Sequence, residues 1–197
     1  MNIQSRLFKI IAVLICFSFF EYQVGVALPE IQEIVSGTVS LDVPDDKTMN
    51  ITASADSIIN YKSFSIAEDE KVMVTLPSTS DAILNRVTGG IPSELFGELL
   101  SNGIFLLVNS AGIHVGETAT INTAGLILST RDITNTDFLN GNYTFRKLSN
   151  EDLDGFLVND GNITVQAGGF VSFIAGALEN NGTVIAPLGR VALAGGD

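Results

Sequence analysis

The sequence predicts an all-β protein that folds as a parallel β-helix with coils of about 20 residues. Between residues 84 and 127, short apolar segments such as residues 104–108 alternate every few positions with Asn, Gly or Ser. A helix would keep its apolar residues at a spacing of about 3.6 over ten or more positions, and that spacing does not persist. Short strands that end in tight turns explain the pattern better.

A repeat near the end of the chain predicts how these strands are arranged. Gly161 and Gly182 are 21 residues apart (182 − 161), and Val171 and Val191 are 20 apart (191 − 171). Self-similarity at this period is typical of a solenoid, and the leucine-rich frame L-x-x-L-x-L-x-x-N is absent. Each coil would bond to the next at about 4.8 Å and add apolar side chains to a shared column. A mature chain of 170 residues (197 − 27) would form about eight coils, and fewer where segments leave the helix.

The individual strands follow in order along the chain. Opening strands are predicted at residues 35–43 and 50–53 around a turn at 44–46, and further strands at residues 57–66 and 72–76. Residues 93–100 carry apolar residues at near-helical spacing after Ser93, but Gly97 and the flanking strand pattern favour a strand. Residues 137–146 interrupt the repeat, and the Asn140-Gly141 pair between aromatic segments predicts a type I′ β-hairpin that projects from the solenoid.

The N-terminus predicts a signal peptide over residues 1–27. Arg6 and Lys9 precede the apolar run 10–20, and Ala27 provides a small residue before a cleavage site at Leu28. The run is short for a permanent membrane anchor, which is the weaker alternative. Cys16 is the only cysteine and lies inside the run, after Ile15, so neither lipidation nor a disulfide in the mature chain is expected.

The charge of the chain excludes a nucleic-acid partner. The formal net charge is −12, and removal of the first 27 residues leaves 8 basic minus 21 acidic residues, or −13. An acidic surface without a basic cluster repels the phosphate backbone.

Five segments, taken in order, resemble the N-terminal secretion domain of the filamentous haemagglutinin family, the exported partners of two-partner secretion systems. They are residues 57–66, 84–90, 104–116, 124–130 and 137–145, and residues 159–195 resemble the adhesin repeat that follows in that family. The resemblance implies a right-handed parallel β-helix that is exported by the Sec machinery and then passes unfolded through an outer-membrane partner pore. The periplasmic domains of that transporter would recognise the domain, which would fold at the cell surface or be secreted. The expected organisation is a signal peptide at 1–27, a secretion-like domain at 28–158 and repeat coils at 159–197.

Two motifs carry the resemblance at residue level. The family motif N-P-N-G-I reads Asn109-Ser110-Ala111-Gly112-Ile113 here, so that Asn109, Gly112 and Ile113 match while the other two positions do not. The loss of proline relaxes φ at this turn. A second turn motif contains Asn85, Arg86, Gly89 and Gly90. The resemblance assigns these residues to secretion and partner recognition, and the alternative is that they are ordinary turn residues.

No catalytic residue, metal ligand or cofactor site is expected. His114, the only histidine, has no carboxylate at ligand spacing in the sequence, so a packed or surface role is expected. Asn150, Asp152 and Asp154 resemble the start of a calcium loop, but position 12 is Gly161 instead of Glu, and a solvated acidic loop is expected there.

Two further interpretations stay open at this point. One is a secreted β-helix enzyme that acts on polysaccharide, although no basic residue lies in an Asp-rich frame. The other is a truncated product without activity, because residues 191–197 end in the middle of the repeat; a covering partner is the alternative there. The sequence does not assign a ligand on a host or cell surface.

Overall fold

The computed structural model describes residues 27–147 and 155–196, which form a parallel β-solenoid of about six turns with coils of about 22 residues. The described residues contain eighteen strands in three sheets and one short helix. The predicted parallel β-helix is therefore confirmed. Residues 1–26 of the predicted signal peptide and the calcium-loop residues Asn150, Asp152 and Asp154 lie outside the described residues.

Two long sheets form most of the solenoid wall, and each has seven strands. Sheet A contains β1 (Glu30–Ser36), β4 (Ser57–Ser63), β6 (Ala82–Val87), β9 (Ile104–Val108), β12 (Gly125–Ser129), β15 (Phe170–Ala175) and β18 (Arg190–Gly195). Sheet B contains β2 (Val39–Asp45), β3 (Thr48–Ala53), β5 (Lys71–Thr75), β8 (Glu98–Ser101), β11 (Thr120–Thr123), β14 (Asn162–Val165) and β17 (Thr183–Ile185).

A third sheet closes the later coils. Sheet C contains β7 (Ser93–Leu95), β10 (Ile113–Val115), β13 (Phe156–Asn159) and β16 (Ala177–Asn180), all parallel. The predicted strand at residues 93–100 is two strands, β7 and β8, which lie in different sheets with Phe96 and Gly97 between them; the near-helical spacing does not give a helix.

The interior of the solenoid is a continuous apolar shaft. Inward side chains from successive coils stack directly, as in the column of Leu107, Leu128, Phe173 and Leu193. The repeat read from the sequence corresponds to this stacking, because Val171 is the sheet partner of Val191. Each coil therefore buries apolar surface only against its neighbours.

The N-terminal strands differ from the prediction. Residues 35–43 do not form one strand, because β1 ends at Ser36 and β2 starts at Val39, with Gly37 between them at φ +85°. The turn that follows β2 lies at residues 46–47 and not at 44–46. Strands β1 and β2 pair antiparallel with β4 and β3, so they close the N-terminal end of the solenoid instead of adding a parallel coil.

The predicted hairpin at residues 137–146 is wrong. Helix α1 (Asn135–Leu139) lies there, and its N-cap Thr134 accepts a hydrogen bond from the Asp137 N–H. Asn140 is the C-cap, and Gly141 takes φ +68° while its N–H donates to the Phe138 carbonyl. Asn-Gly supplies the positive φ that either a hairpin turn or a helix end requires, and the capped helix uses it here.

The excursion that contains α1 leaves the solenoid after β12, and its described part is residues 130–147. Ile133, Phe138 and Phe145 from this excursion pack on the outer face of sheet A, where they cover Leu84 and Leu106. Both faces of sheet A are thus buried here, which explains the uninterrupted apolar run in β9.

The excursion and the antiparallel N-terminal strands also explain the number of coils. Successive partners Phe105 and Leu126 are 21 residues apart (126 − 105), but Leu126 and Val171 are 45 apart (171 − 126). Because the residues of the excursion and of the antiparallel N-terminal strands lie outside the coils, the number of coils is about six and not the predicted eight. Within residues 27–147 and 155–196, no helix is long and apolar enough to cross a bilayer.

Candidate secretion-motif site

The two motifs singled out in the sequence lie side by side on consecutive coils. Asn85 and Arg86 on β6 are the sheet partners of Leu107 and Val108 on β9, and Asn109 follows immediately. Parallel stacking thus brings together two segments that are more than 20 residues apart in the chain.

Asn85 lies inside the shaft and is fully buried. Its Oδ1 accepts a hydrogen bond from the Tyr61 hydroxyl at 3.0 Å, and its Nδ2 donates to the Leu106 carbonyl at 3.0 Å. Burial raises the pKa of Tyr61, which keeps the phenol protonated and able to donate. The Asn85 amide therefore connects the coils on both sides of its own.

Arg86 points outward from the same strand and holds the excursion against sheet A. Its Nε contacts the Asp132 carboxylate at 2.9 Å, its Nη1 donates to Asn135 Oδ1 at 2.9 Å, and its Nη2 donates to the Ile133 carbonyl at 2.6 Å. Nη1 also donates to Asn60 Oδ1 at 3.4 Å, so the planar guanidinium serves four acceptors at once, which an ammonium group could not do in this geometry. Only 13% of the Arg86 side chain is exposed.

Gly89 and Gly90 follow β6, and Gly89 needs to be glycine because of close packing. A Cβ on Gly89 would lie 1.9 Å from the Lys62 carbonyl oxygen, and Gly90 takes φ +73°. Any side chain at position 89 would displace the backbone of the coil that carries β4.

Asn109 joins the two motifs. Its Nδ2 donates to the Ile91 carbonyl at 3.0 Å and to Ser93 Oγ at 2.9 Å, and its Oδ1 accepts from the Ala111 N–H at 3.0 Å. Asn109 therefore fixes its own turn and also the loop that follows Gly90. Its exposed fraction is 1%.

The turn of the motif at residues 109–113 closes although it lacks proline. The Gly112 N–H donates to the Asn109 carbonyl at 3.1 Å, and Gly112 takes φ +127°, where a side chain would be strained. Ile113 then starts β10 and is 1% exposed, between Ser93 and Leu157 on the adjacent strands.

The side chain of His114 has charged neighbours that were not expected from the sequence. Its Nδ1 lies 2.9 Å from Glu94 Oε2 and its Nε2 lies 3.0 Å from Asp160 Oδ2, so carboxylates of two other coils flank the ring. Burial lowers the pKa of His114, but the hydrogen bonds to Asp160 and Glu94 outweigh it and raise the pKa overall. Hydrogen bonds from Asn181 and then His114 lower the pKa of Asp160. We call these three residues the His114 bridge.

A shallow groove runs beside the motif at residues 109–113 and the His114 bridge. Its volume is about 380 Å³, and Pro92, Ala111, Gly112, Phe156 and Val158 line most of it. No group of three or more His, Cys, Asp or Glu residues within the described ranges could hold a metal ion. The chemistry that this region offers is that of packing and hydrogen bonding.

Comparison with protein families gives a match to the TPS secretion domain over residues 34–197. The chain belongs to this family. It is therefore the TPS domain of a two-partner secretion exoprotein, in agreement with the resemblance found in the sequence. The TPS secretion domain is a non-catalytic family, which excludes the polysaccharide-active enzyme.

The solved structures and curated relatives agree with this membership. The crystal structure of the HMW1 secretion domain from Haemophilus influenzae matches with a TM-score of 0.76 and 36% identity, over 84% of this chain and 45% of that one. A heme/hemopexin-binding protein of Haemophilus influenzae strain Rd is 29% identical over 86% of this chain. A second Haemophilus influenzae protein of that name is 32% identical over 60% of this chain. The matched segments span only 19% and 13% of those relatives.

Membership of the TPS family also identifies the general class of partner and the route of secretion. A TPS domain is recognised by an outer-membrane transporter, and exoproteins of this family are secreted by the two-partner route. The matches do not test the roles of Asn85, Arg86, Gly89, Asn109, Gly112 and Ile113, which stay predictions.

Proposed function

We propose that this TPS domain is recognised by the periplasmic domains of its transporter before it folds, after Sec-dependent export and removal of residues 1–27. The domain then passes through the outer-membrane pore and folds at the cell surface, where the coils of residues 28–158 precede the repeat coils of 159–197. The domain itself catalyses no reaction.

The burial of the motif side chains supports this order of events. Asn85 is 0% exposed, and Asn109 and Ile113 are each 1% exposed. A partner could not reach these side chains in the folded domain. The motifs therefore contribute to secretion in one of two ways. Either the transporter binds them while the chain is unfolded, or they stabilise the folded domain at the cell surface after translocation.

A double substitution tests the contribution of the motif at residues 109–113. Asn109→Asp removes the donor to Ile91 and Ser93 and buries a carboxylate beside a carbonyl oxygen, and Gly112→Val forces a β-branched residue to φ +127°. A tenfold change in the folding equilibrium corresponds to ~1.4 kcal/mol, and together these changes lower the free energy of unfolding by several times that amount. We therefore expect the amount of protein released to the medium to fall at least about tenfold. Immunoblots of medium and periplasmic fractions measure the release.

A matched control separates the motif from general effects of mutation. Asn122→Asp makes the same chemical change at an exposed position of β11 and should leave release unchanged. Unchanged release of the motif variant, with the control also unchanged, would remove the motif from the proposal. Refolding of the purified variants then distinguishes the two contributions, because a variant that refolds like the wild type but is not released has lost recognition.

A further inference from the structure

The carboxylate of Glu70 is buried at the N-terminal end of the solenoid. Glu70 is 4% exposed and lies in the corner between β4 and β5. Its Oε2 accepts a hydrogen bond from the Ala67 N–H at 2.7 Å, and its Oε1 accepts from the Ala27 N–H at 2.7 Å.

No basic side chain neutralises this carboxylate among the ion pairs of residues 27–147 and 155–196. The nearest basic residues along the chain are engaged elsewhere, since Lys71 pairs with Glu98 and Lys62 pairs with Glu30. A buried carboxylate is costly unless a cation or several hydrogen bonds compensate it. Two amide donors compensate Glu70 only in part.

The first described residues place the predicted cleavage site next to Glu70. Cleavage before Leu28 creates an α-ammonium one residue from the Ala27 nitrogen, a distance of at most about 3.6 Å along the chain. Leu28 is half-buried against the apolar shaft, Pro29 is buried, and β1 starts at Glu30. These contacts hold the new terminus close to the carboxylate.

We propose that Glu70 binds the α-ammonium group that signal-peptide cleavage creates at Leu28. Processing replaces a neutral amide hydrogen bond with a partly buried ion pair, which fastens the start of β1 to the corner at Glu70. The unprocessed chain offers only the amide and so folds less stably at this end. The inference rests on the cleavage that forms part of the proposed function, but it is independent of recognition by the transporter.

The test compares two forms of the mature chain by urea unfolding. One form starts at Leu28 with a free amine, and the other retains residues 25–27 ahead of it. At pH 6.5 we expect the folding equilibrium constant of the free form to be about tenfold larger, which corresponds to a shift of one unit in the pKa of the terminal amine. At pH 10 the amine is neutral, since its ordinary pKa is about 8, and the difference should vanish.

Two variants assign the effect to Glu70. Glu70→Gln should abolish the difference between the two forms, whereas Glu68→Gln, at an exposed position two residues away, should preserve it. Equal stability of the two wild-type forms, or a difference that persists in Glu70→Gln, would overturn the proposal.

A second measurement covers the case in which Glu70→Gln does not fold. NMR titration of the Leu28 amine in the wild-type chain should give a pKa at least about one unit above the ordinary value of ~8, and an unshifted pKa would contradict the ion pair. Mass spectrometry of the exported protein must also give Leu28 as the first residue, and a terminus elsewhere would remove the site.

Discussion

The His114 bridge predicts that the stability of the domain depends on pH. Both ring nitrogens face carboxylates, Glu94 from β7 and Asp160 from the turn after β13, so the geometry favours the doubly protonated ring. A raised pKa means that the folded state binds the proton more tightly than the unfolded state. The stabilisation is therefore complete below the unfolded pKa of about 6.5 and is lost as the pH rises through the folded pKa.

His114→Gln should remove this dependence. Because 35% of the His114 side chain is exposed, screening limits the effect to about 0.5–1 kcal/mol. We expect the wild type to exceed the variant by this amount in urea unfolding at pH 5.5, and the two to converge at pH 8.5. A difference that is independent of pH would show that His114 acts through packing on Phe96 and not through its charge.

The sequence identifies the motif residues but not their surroundings. Asn85 and Asn109 are recognised from the motifs, whereas their burial and their acceptors on other coils depend on the stacking register. The carboxylate partners of His114 are 20 and 46 residues away (114 − 94 and 160 − 114), and the second separation includes the excursion. Glu94 lies one predicted coil from His114, whereas the contact with Asp160 follows from the length of the excursion, which residue spacing does not reveal.

At the scale of elements, the hydrogen bonds of Arg86 hold the excursion against sheet A. Arg86→Lys keeps the charge but loses the simultaneous contacts to Asp132, Ile133 and Asn135, which should cost about 2 kcal/mol. Since α1 covers the outer apolar face of sheet A, we expect faster amide exchange in residues 133–142 and increased binding of a hydrophobic dye.

Arg190→Lys provides the matched control for this prediction. Arg190 lies on β18 and is exposed, so the same substitution should change neither amide exchange nor dye binding. If Arg86→Lys also left both unchanged, the apolar contacts of Ile133, Phe138 and Phe145 would be sufficient to hold the excursion.

The two errors in predicting the elements have local causes. The Asn140-Gly141 signal outweighed the spacing of Thr134 and Asp137, which is the S/T-x-x-D/E pattern of a helix start and was available in the sequence. The antiparallel pairing of β1 with β4 was not available, because alternating strands carry no information on the direction of a distant partner. The short turn between β2 and β3, by contrast, already implies the antiparallel pairing of those two strands. The parallel coils were predictable because the repeat itself specifies the register.

At the scale of the whole molecule, the solenoid distributes its stability along one axis. Each coil contacts only its two neighbours, so a side chain in the middle of a column loses contacts on both sides when it is truncated. The column of Leu107, Leu128, Phe173 and Leu193 allows a comparison of equal substitutions at different heights. Leu128 is fully buried, whereas Leu193 on the last coil is 51% exposed.

Leu128→Ala should destabilise the 197-residue chain by about 2–5 kcal/mol, because the surrounding coils cannot collapse onto the cavity. Leu193→Ala removes the same atoms from a half-exposed position and should cost less than about 1 kcal/mol. Urea unfolding measures both, and hydrogen exchange shows whether the last coil opens separately from the rest. An equal loss of unfolding free energy at the two positions would mean that the last coil is packed as tightly as the middle of the core. That result would contradict a solenoid in which each coil is stabilised only by its two neighbours.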